Sequence, residues 1–117
     1  MNRNSIKKPS IKIYYDKDKI EIEDFYQLLL GIEEEGIPYE VLECEENDAI
    51  KLGYSASLDS IIGVGVGVSK ENIVLHYNRL QEDCPVYTIK TKNSKETLRA
   101  LGANAARLVI RMPFKEI

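Results

Sequence analysis

Apolar and polar residues alternate with period two in the stretch SIKIYYD, which predicts a β-strand over Ile11 to Tyr15. The period then changes. Phe25, Leu28, Leu29 and Ile32 recur at i, i+3, i+4 and i+7, the spacing of one buried helix face, and predict a helix over about residues 22 to 35. Gly36 ends it and Pro38 prevents its continuation. YEVLE predicts a second short strand. NDAIKLGYSAS predicts a less regular helix, with Asn47 a candidate cap and Gly53 a defect within it. IIGVGVGV and NIVLHY predict the third and fourth strands, and SKEN between them predicts a hairpin. PVYTIK predicts a fifth strand. The last helix starts near Asn93 or Ser94, where Asn93 and Glu96 have the spacing of a capping box. Leu98, Leu101, Ala105, Leu108 and Val109 then share one face of it.

The order β-α-β-α-β-β-β-α predicts an α/β fold. Early β-α alternation points to a mixed, mostly parallel sheet flanked by helices, with right-handed crossovers, and the hairpin adds an antiparallel pair. A chain of 117 residues suffices for one domain with one modest core. Residues 1–10 are expected to be flexible and residues 11–117 to form that domain.

Charge changes the picture. Between Lys19 and Lys51 there are eleven Asp and Glu and no Lys or Arg. After Pro85 seven Lys and Arg face only Glu96 and Glu116. Two such surfaces either attract each other within the fold or offer a docking face to a charged partner protein. Nucleic acid is not an expected partner, because the net charge is −3 and the basic segment lacks interleaved aromatic residues. No apolar run reaches the roughly 20 residues that span a bilayer, and no apolar region follows the basic start of the chain, so no membrane and a cytoplasmic location are expected. Cys44 and Cys84, in no CxxC spacing, read as small and buried thiols.

Gly63, Gly65 and Gly67 resemble a phosphate-cradling loop at first sight. A dinucleotide loop needs G-x-G-x-x-G between a strand and a helix. Here the spacing is G-x-G-x-G, and a turn and another strand follow. Period-two alternation instead puts the three glycines on one sheet face and Ile62, Val64, Val66 and Val68 on the other. The bare face allows a helix, a backbone or a partner to approach closely. His76 lies in a strand beside Tyr77 with no triad partner next to it in sequence, and reads as structural.

Glu33, Glu34 and Glu35 crowd the last turn of the first helix, where the macrodipole disfavours negative charge. At about 100° per residue, Glu34 lies nearly opposite the apolar face, and Gln27, Leu30 and Gly31 share its outward side. A leucine, a glycine and an acid together on an outward side make a candidate partner contact. A carboxylate there could also complete a cation site on another chain, because magnesium accepts one or two carboxylates.

LLLGIEEEGIPYE, VGVGVS, LHYNRL and LGANAARLVIRMPFKE together resemble the small subunit of the glycerol/diol dehydratase reactivating factor. The resemblance is collinear from about Ile11 to Glu116, and GIEEEGIP and ANAARLV…PF are its most specific pieces. The stretch from Cys44 to Asp59 departs from the family pattern, and Ile61 stands where the family often has a proline.

The resemblance implies a chaperone-like, ATP-dependent factor that releases damaged cobalamin from inactivated adenosylcobalamin-dependent diol or glycerol dehydratase. It implies that magnesium and ATP or ADP sit on a large ATPase subunit, and that this chain has no cofactor and no catalytic site of its own. It implies subunit exchange: the small subunit yields its place on the large one to the medium subunit of the dehydratase, whose fold it shares. It also implies two large and two small subunits, in the cytoplasm or with a bacterial microcompartment. One glutamate of the EEE run is implied to ligate the large subunit's magnesium, and that position matches Glu34, where the helical wheel independently points outwards. Isolated small subunits could then form a homodimer through the same surface. Two other readings stand beside this one: a medium subunit of a diol or glycerol dehydratase, and a small self-associating protein-binding domain. At 117 residues the chain has no room for the extra cofactor-contacting segments of the former.

Overall fold

The computed structural model describes residues 8–117. Its strands are Ile11–Asp16 (β1), Tyr39–Cys44 (β2), Val64–Val68 (β3), Asn72–Tyr77 (β4) and Tyr87–Lys90 (β5). Its helices are Tyr26–Glu34 (α1), Ala49–Asp59 (α2) and Lys95–Ile110 (α3), with a 3-10 turn at Ile22–Phe25 leading into α1. The element order and the mixed sheet are those expected from the periodicities. The strands lie in the order β2-β1-β3-β4-β5. β1 is parallel to both β2 and β3, and β4 and β5 are antiparallel to their neighbours.

Two crossovers fix the layers. The first, β1-α1-β2, moves to one side of β1, and the second, β2-α2-β3, moves back across it. Right-handed connections running in opposite directions place α1 and α2 on opposite faces of the sheet. The main core lies on the α1 side. Val41, Ile13, Val66, Leu75 and Tyr87 form one row of register partners across that face. Phe25, Leu28, Leu29 and Ile32 of the first helical segment and Leu98, Leu101, Ala105 and Ala106 of α3 close over it. The other face carries Leu42, Tyr14, Gly67, Val74 and Thr88 in register, and α2 packs there.

Several helix ends differ from expectation. Asp48, not Asn47, caps α2: its carboxylate accepts from the Ile50 and Lys51 amides at 2.9 and 3.4 Å. Ser94, one of the two expected starts, caps α3, its hydroxyl accepting from the Thr97 amide at 3.1 Å, so the capping pair is Ser94 with Thr97 and not Asn93 with Glu96. The cap must be the residue whose own carbonyl begins the helical ladder. Those carbonyls belong to Asp48 and Ser94, which accept from Leu52 and Leu98. The first helical stretch also divides, because Glu21 and Asp24 cap a 3-10 turn before the α-helical hydrogen bonds begin. Gly36 ends α1 as expected, with a left-handed φ of 79°.

Most of the N-terminal segment expected to be flexible lies outside the described residues. Ser10 within that segment is buried, and its carbonyl accepts from the Ser60 hydroxyl at 2.7 Å.

Candidate partner-docking site

The glycine strand is a packing surface. A Cβ built on Gly65 would lie 2.2 Å from the Ser57 amide nitrogen, and one on Gly67 would lie 2.2 Å from the Ala49 carbonyl oxygen. The main chain of α2 therefore occupies the space that side chains would fill. Gly53 is no defect in that helix. It faces Gly67 and Val74, where a Cβ would stand only 3.2–3.3 Å from its neighbours. Gly63 is not part of the bare face. It precedes β3 in a turn, with φ of 80°, a conformation that favours glycine, against the side chain of Asn78. Alternation assigned it to the sheet because periodicity cannot see where a strand begins.

His76 is wholly buried on the same side of the sheet, its ring 5.1 Å from that of Tyr54. Its Nδ1 receives the Tyr77 amide at 3.0 Å, and its Nε2 lies 2.9 Å from the Glu82 carbonyl. A neutral ring with its proton on Nε2 satisfies both, and the ring reaches no solvent. Cys44 is half-buried, whereas Cys84 is exposed, contrary to the expected burial. Burial raises the Cys44 thiol, and the hydrogen bond to Asp83 raises that of Cys84, so neither is held as a reactive thiolate. Among the described residues, no cluster of three or more His, Cys, Asp or Glu side chains could hold a metal ion. No described helix is long and apolar enough to cross a membrane.

The outward side of α1 is different from its helical wheel. Gly31 is buried, not outward-facing, because α3 crosses there. A Cβ on Gly31 would lie 2.1 Å from the Arg99 carbonyl oxygen, and one on Gly102 would lie 2.0 Å from the Leu28 carbonyl oxygen. The two glycines let the helices meet main chain to main chain. Gln27 and Leu30 are consequently half-buried, and Glu34 alone of the four remains well exposed.

Each glutamate of the EEE run has its own partner. Glu33 accepts from the Tyr39 hydroxyl at 2.6 Å, and burial together with that bond pushes the phenol up to about 12. Glu34 pairs with Arg99 at 3.2 Å, and Glu35 pairs with Arg107 at 3.3 Å. Arg99 also donates to the Gln27 side-chain oxygen at 2.7 Å. Both arginines come from α3, so part of the attraction between the acidic and basic halves of the chain is internal. Glu35 is nearly covered, while the Glu34 side chain is 52% exposed. Arg99, Arg107 and Tyr39 were not singled out in the sequence. The available signal was two arginines eight residues apart on α3 facing a run of acids on α1.

Glu34 thus ends α1 as a half-exposed carboxylate held from one side by a guanidinium. Comparison with known proteins gives the family. Residues 8–115 match the dehydratase medium subunit family. The chain is 42% identical over 89 residues to the propanediol dehydratase-reactivating factor small subunit of Citrobacter freundii, covering 76% of this chain and 77% of that one. A structure of diol dehydratase-reactivating factor complexed with ADP and Mg2+ superposes with a TM-score of 0.88 at 30% identity, covering 94% of this chain and all of that one. A glycerol dehydratase reactivase superposes with a TM-score of 0.89 at 33% identity, covering 93% and 98%. The chain belongs to the dehydratase medium subunit family and, within it, to the reactivating-factor small subunits.

Proposed function

We propose that this chain is the partner-docking subunit of an ATP-dependent factor that frees damaged cobalamin from an inactivated diol or glycerol dehydratase. The observation that carries this reading is the likeness to reactivating-factor chains along nearly the whole length of both. The chain works by subunit exchange, occupying a site on a large ATPase subunit that the dehydratase's medium subunit can take in its place. A shared fold supports such an exchange, because one surface must then accept either chain. Nucleotide hydrolysis belongs to the large subunit, and this chain contributes contacts and no catalytic group.

Glu34, Gln27 and Leu30 form the contact at the end of α1, and Glu34 supplies one ligand to the magnesium held by the large subunit. The donor set fits that role. Glu34 is exposed, and the described residues offer no set of ligands that would hold the ion within this chain. Magnesium binds through one or two carboxylates and keeps several other ligands, which the partner must supply. The ion, when bound, ties the two subunits by charge. Gly31 has a different part, seating α3 against α1.

The test is co-purification with a large reactivating-factor subunit, followed by incubation with inactivated dehydratase, ATP, magnesium and fresh adenosylcobalamin. A stable complex and recovered dehydratase activity are expected. A chain that forms no complex, with no recovery, overturns the reading. Glu34→Ala is expected to weaken the complex while the free chain stays folded. Unchanged affinity in magnesium removes Glu34 from the role.

A further inference from the structure

Arg99 of α3 meets α1 at three residues, Gln27, Gly31 and Glu34. Its carbonyl oxygen rests on Gly31. Its guanidinium spans two turns of α1, with Nη2 donating to the Gln27 oxygen at 2.7 Å and Nη1 donating to Glu34 Oε2 at 3.2 Å. One planar fork thus holds an amide and a carboxylate seven residues apart, a geometry that a single ammonium cannot reproduce. The carboxylate is held by one oxygen only. Among the described residues Glu34 Oε1 makes no hydrogen bond, although the side chain is 52% exposed.

We infer that Arg99 is a positioning residue for Glu34: it fixes one carboxylate oxygen so that the other is presented to a cation on the docked subunit. This rests on the reading that Glu34 reaches the partner's magnesium. A glutamate side chain free to rotate loses rotamer freedom on docking. Arg99 removes much of that loss in advance, and it offsets the unfavourable helix-end dipole at Glu34. The seat is rigid, because Gly31 brings the Arg99 main chain into direct contact with α1 before its side chain reaches out. Partners that orient a metal ligand from behind typically change metal affinity by about 10- to 100-fold when removed. An exposed pair belongs at the lower end of that range.

The experiment measures the magnesium concentration that half-saturates complex formation with the large subunit. It compares the wild-type chain with Arg99→Gln, Arg99→Lys and Glu34→Gln. Arg99→Gln keeps most of the aliphatic stem, and thermal melting of each free subunit checks the fold. Arg99→Gln is expected to raise the magnesium requirement about tenfold, with association in EDTA unchanged. Arg99→Lys is expected to recover only part of the loss. A requirement equal to or below wild type in Arg99→Gln overturns the inference. So does an equal weakening with and without magnesium, which marks a purely structural role. Glu34→Gln separates the two levels. If it abolishes the magnesium response while Arg99→Gln does not change it, only the positioning role fails. If Glu34→Gln keeps the wild-type response, the docking reading itself fails.

Discussion

The amide nitrogen of Ser57 on α2 stands 2.2 Å from the place where a Cβ on Gly65 of β3 would lie. No rotamer change relieves that approach, because the obstructing atoms include main chain on the helix side. Gly67 is bounded in the same way by Ala49 and Gly53. The third strand and the second helix are therefore joined by two positions that admit no side chain.

Gly65→Ala is expected to destabilise the fold by about 3 kcal/mol, at the upper end for overpacking, because a backbone and not a flexible side chain must move. The stiffening of the unfolded chain returns less than about 1 kcal/mol, so the clash wins. In a chain of this size Tm should fall by about 10 °C. Gly65→Val should do worse. Thermal melting decides it, and an unchanged Tm would refute the packing account.

Gly31 and Gly102 serve one crossing from its two sides, each against the main chain of the other helix. Gly31→Ala and Gly102→Ala should each destabilise by about 1–3 kcal/mol. The double variant should lose less than the sum, because the first methyl already forces the helices apart. Urea titrations of the four proteins test this, and strict additivity would show that the two glycines act separately.

Asn104 is wholly buried in α3 and holds the C-terminal strap like a strand partner. Its Nδ2 donates to the Lys115 carbonyl at 3.0 Å, and its Oδ1 accepts from the Lys115 amide at 2.6 Å. The strap also packs Phe114 against Tyr87, ring centroids 5.7 Å apart. Asn104→Ala removes both hydrogen bonds at once. It should cost about 1–3 kcal/mol and release the last six residues before the rest of the fold. Hydrogen exchange at the Lys115 amide should speed up while the amides of β3 stay protected. Equal Lys115 exchange in Asn104→Ala and wild type would show that the strap is held by its aromatic contact alone.

Alkaline unfolding should be sensitive to Tyr39. The folded phenol is raised to about 12 by burial and by its bond to Glu33, above its ordinary value of 10.0. The folded state therefore keeps a proton that the unfolded chain releases first. The stability this contributes is fully present below pH 10.0 and is lost as pH rises towards about 12. Tyr14, raised by burial and by Asp59, acts in the same direction. Urea midpoints measured from pH 9 to 12 should fall less steeply in Tyr39→Phe than in wild type. Parallel curves would exclude Tyr39 as a contributor.

The element order was legible because it rests on short-range periodicity. Period two in IKIYYD and period 3.6 around Phe25 to Ile32 depend only on residues within a few positions of each other. That VGVGV is a strand followed by a hairpin strand and not by a helix was legible for the same reason. The sequence by itself also determined the family, through long collinear stretches that span helix ends and loops. Boundaries were less legible. Alternation places Gly63 in the strand, the α2 cap falls on Asp48 and not Asn47, and the α3 cap falls on the second of its two candidates, because a hydrogen-bonded ladder and not a residue type decides where an element starts.

What only the tertiary structure decided is the surroundings of α1. A helical wheel gives the direction of a side chain but not what stands there. It divides a helix into one buried and one outward side, whereas α1 packs on the sheet with one side and on α3 with another. The wheel therefore puts Gly31 on the surface although it is interior, and it puts Glu34 outwards, correctly, without showing that Arg99, 65 residues away in the chain, holds it. Contacts of that kind arise from packing two helices on one sheet face, and no local pattern in either helix records the other.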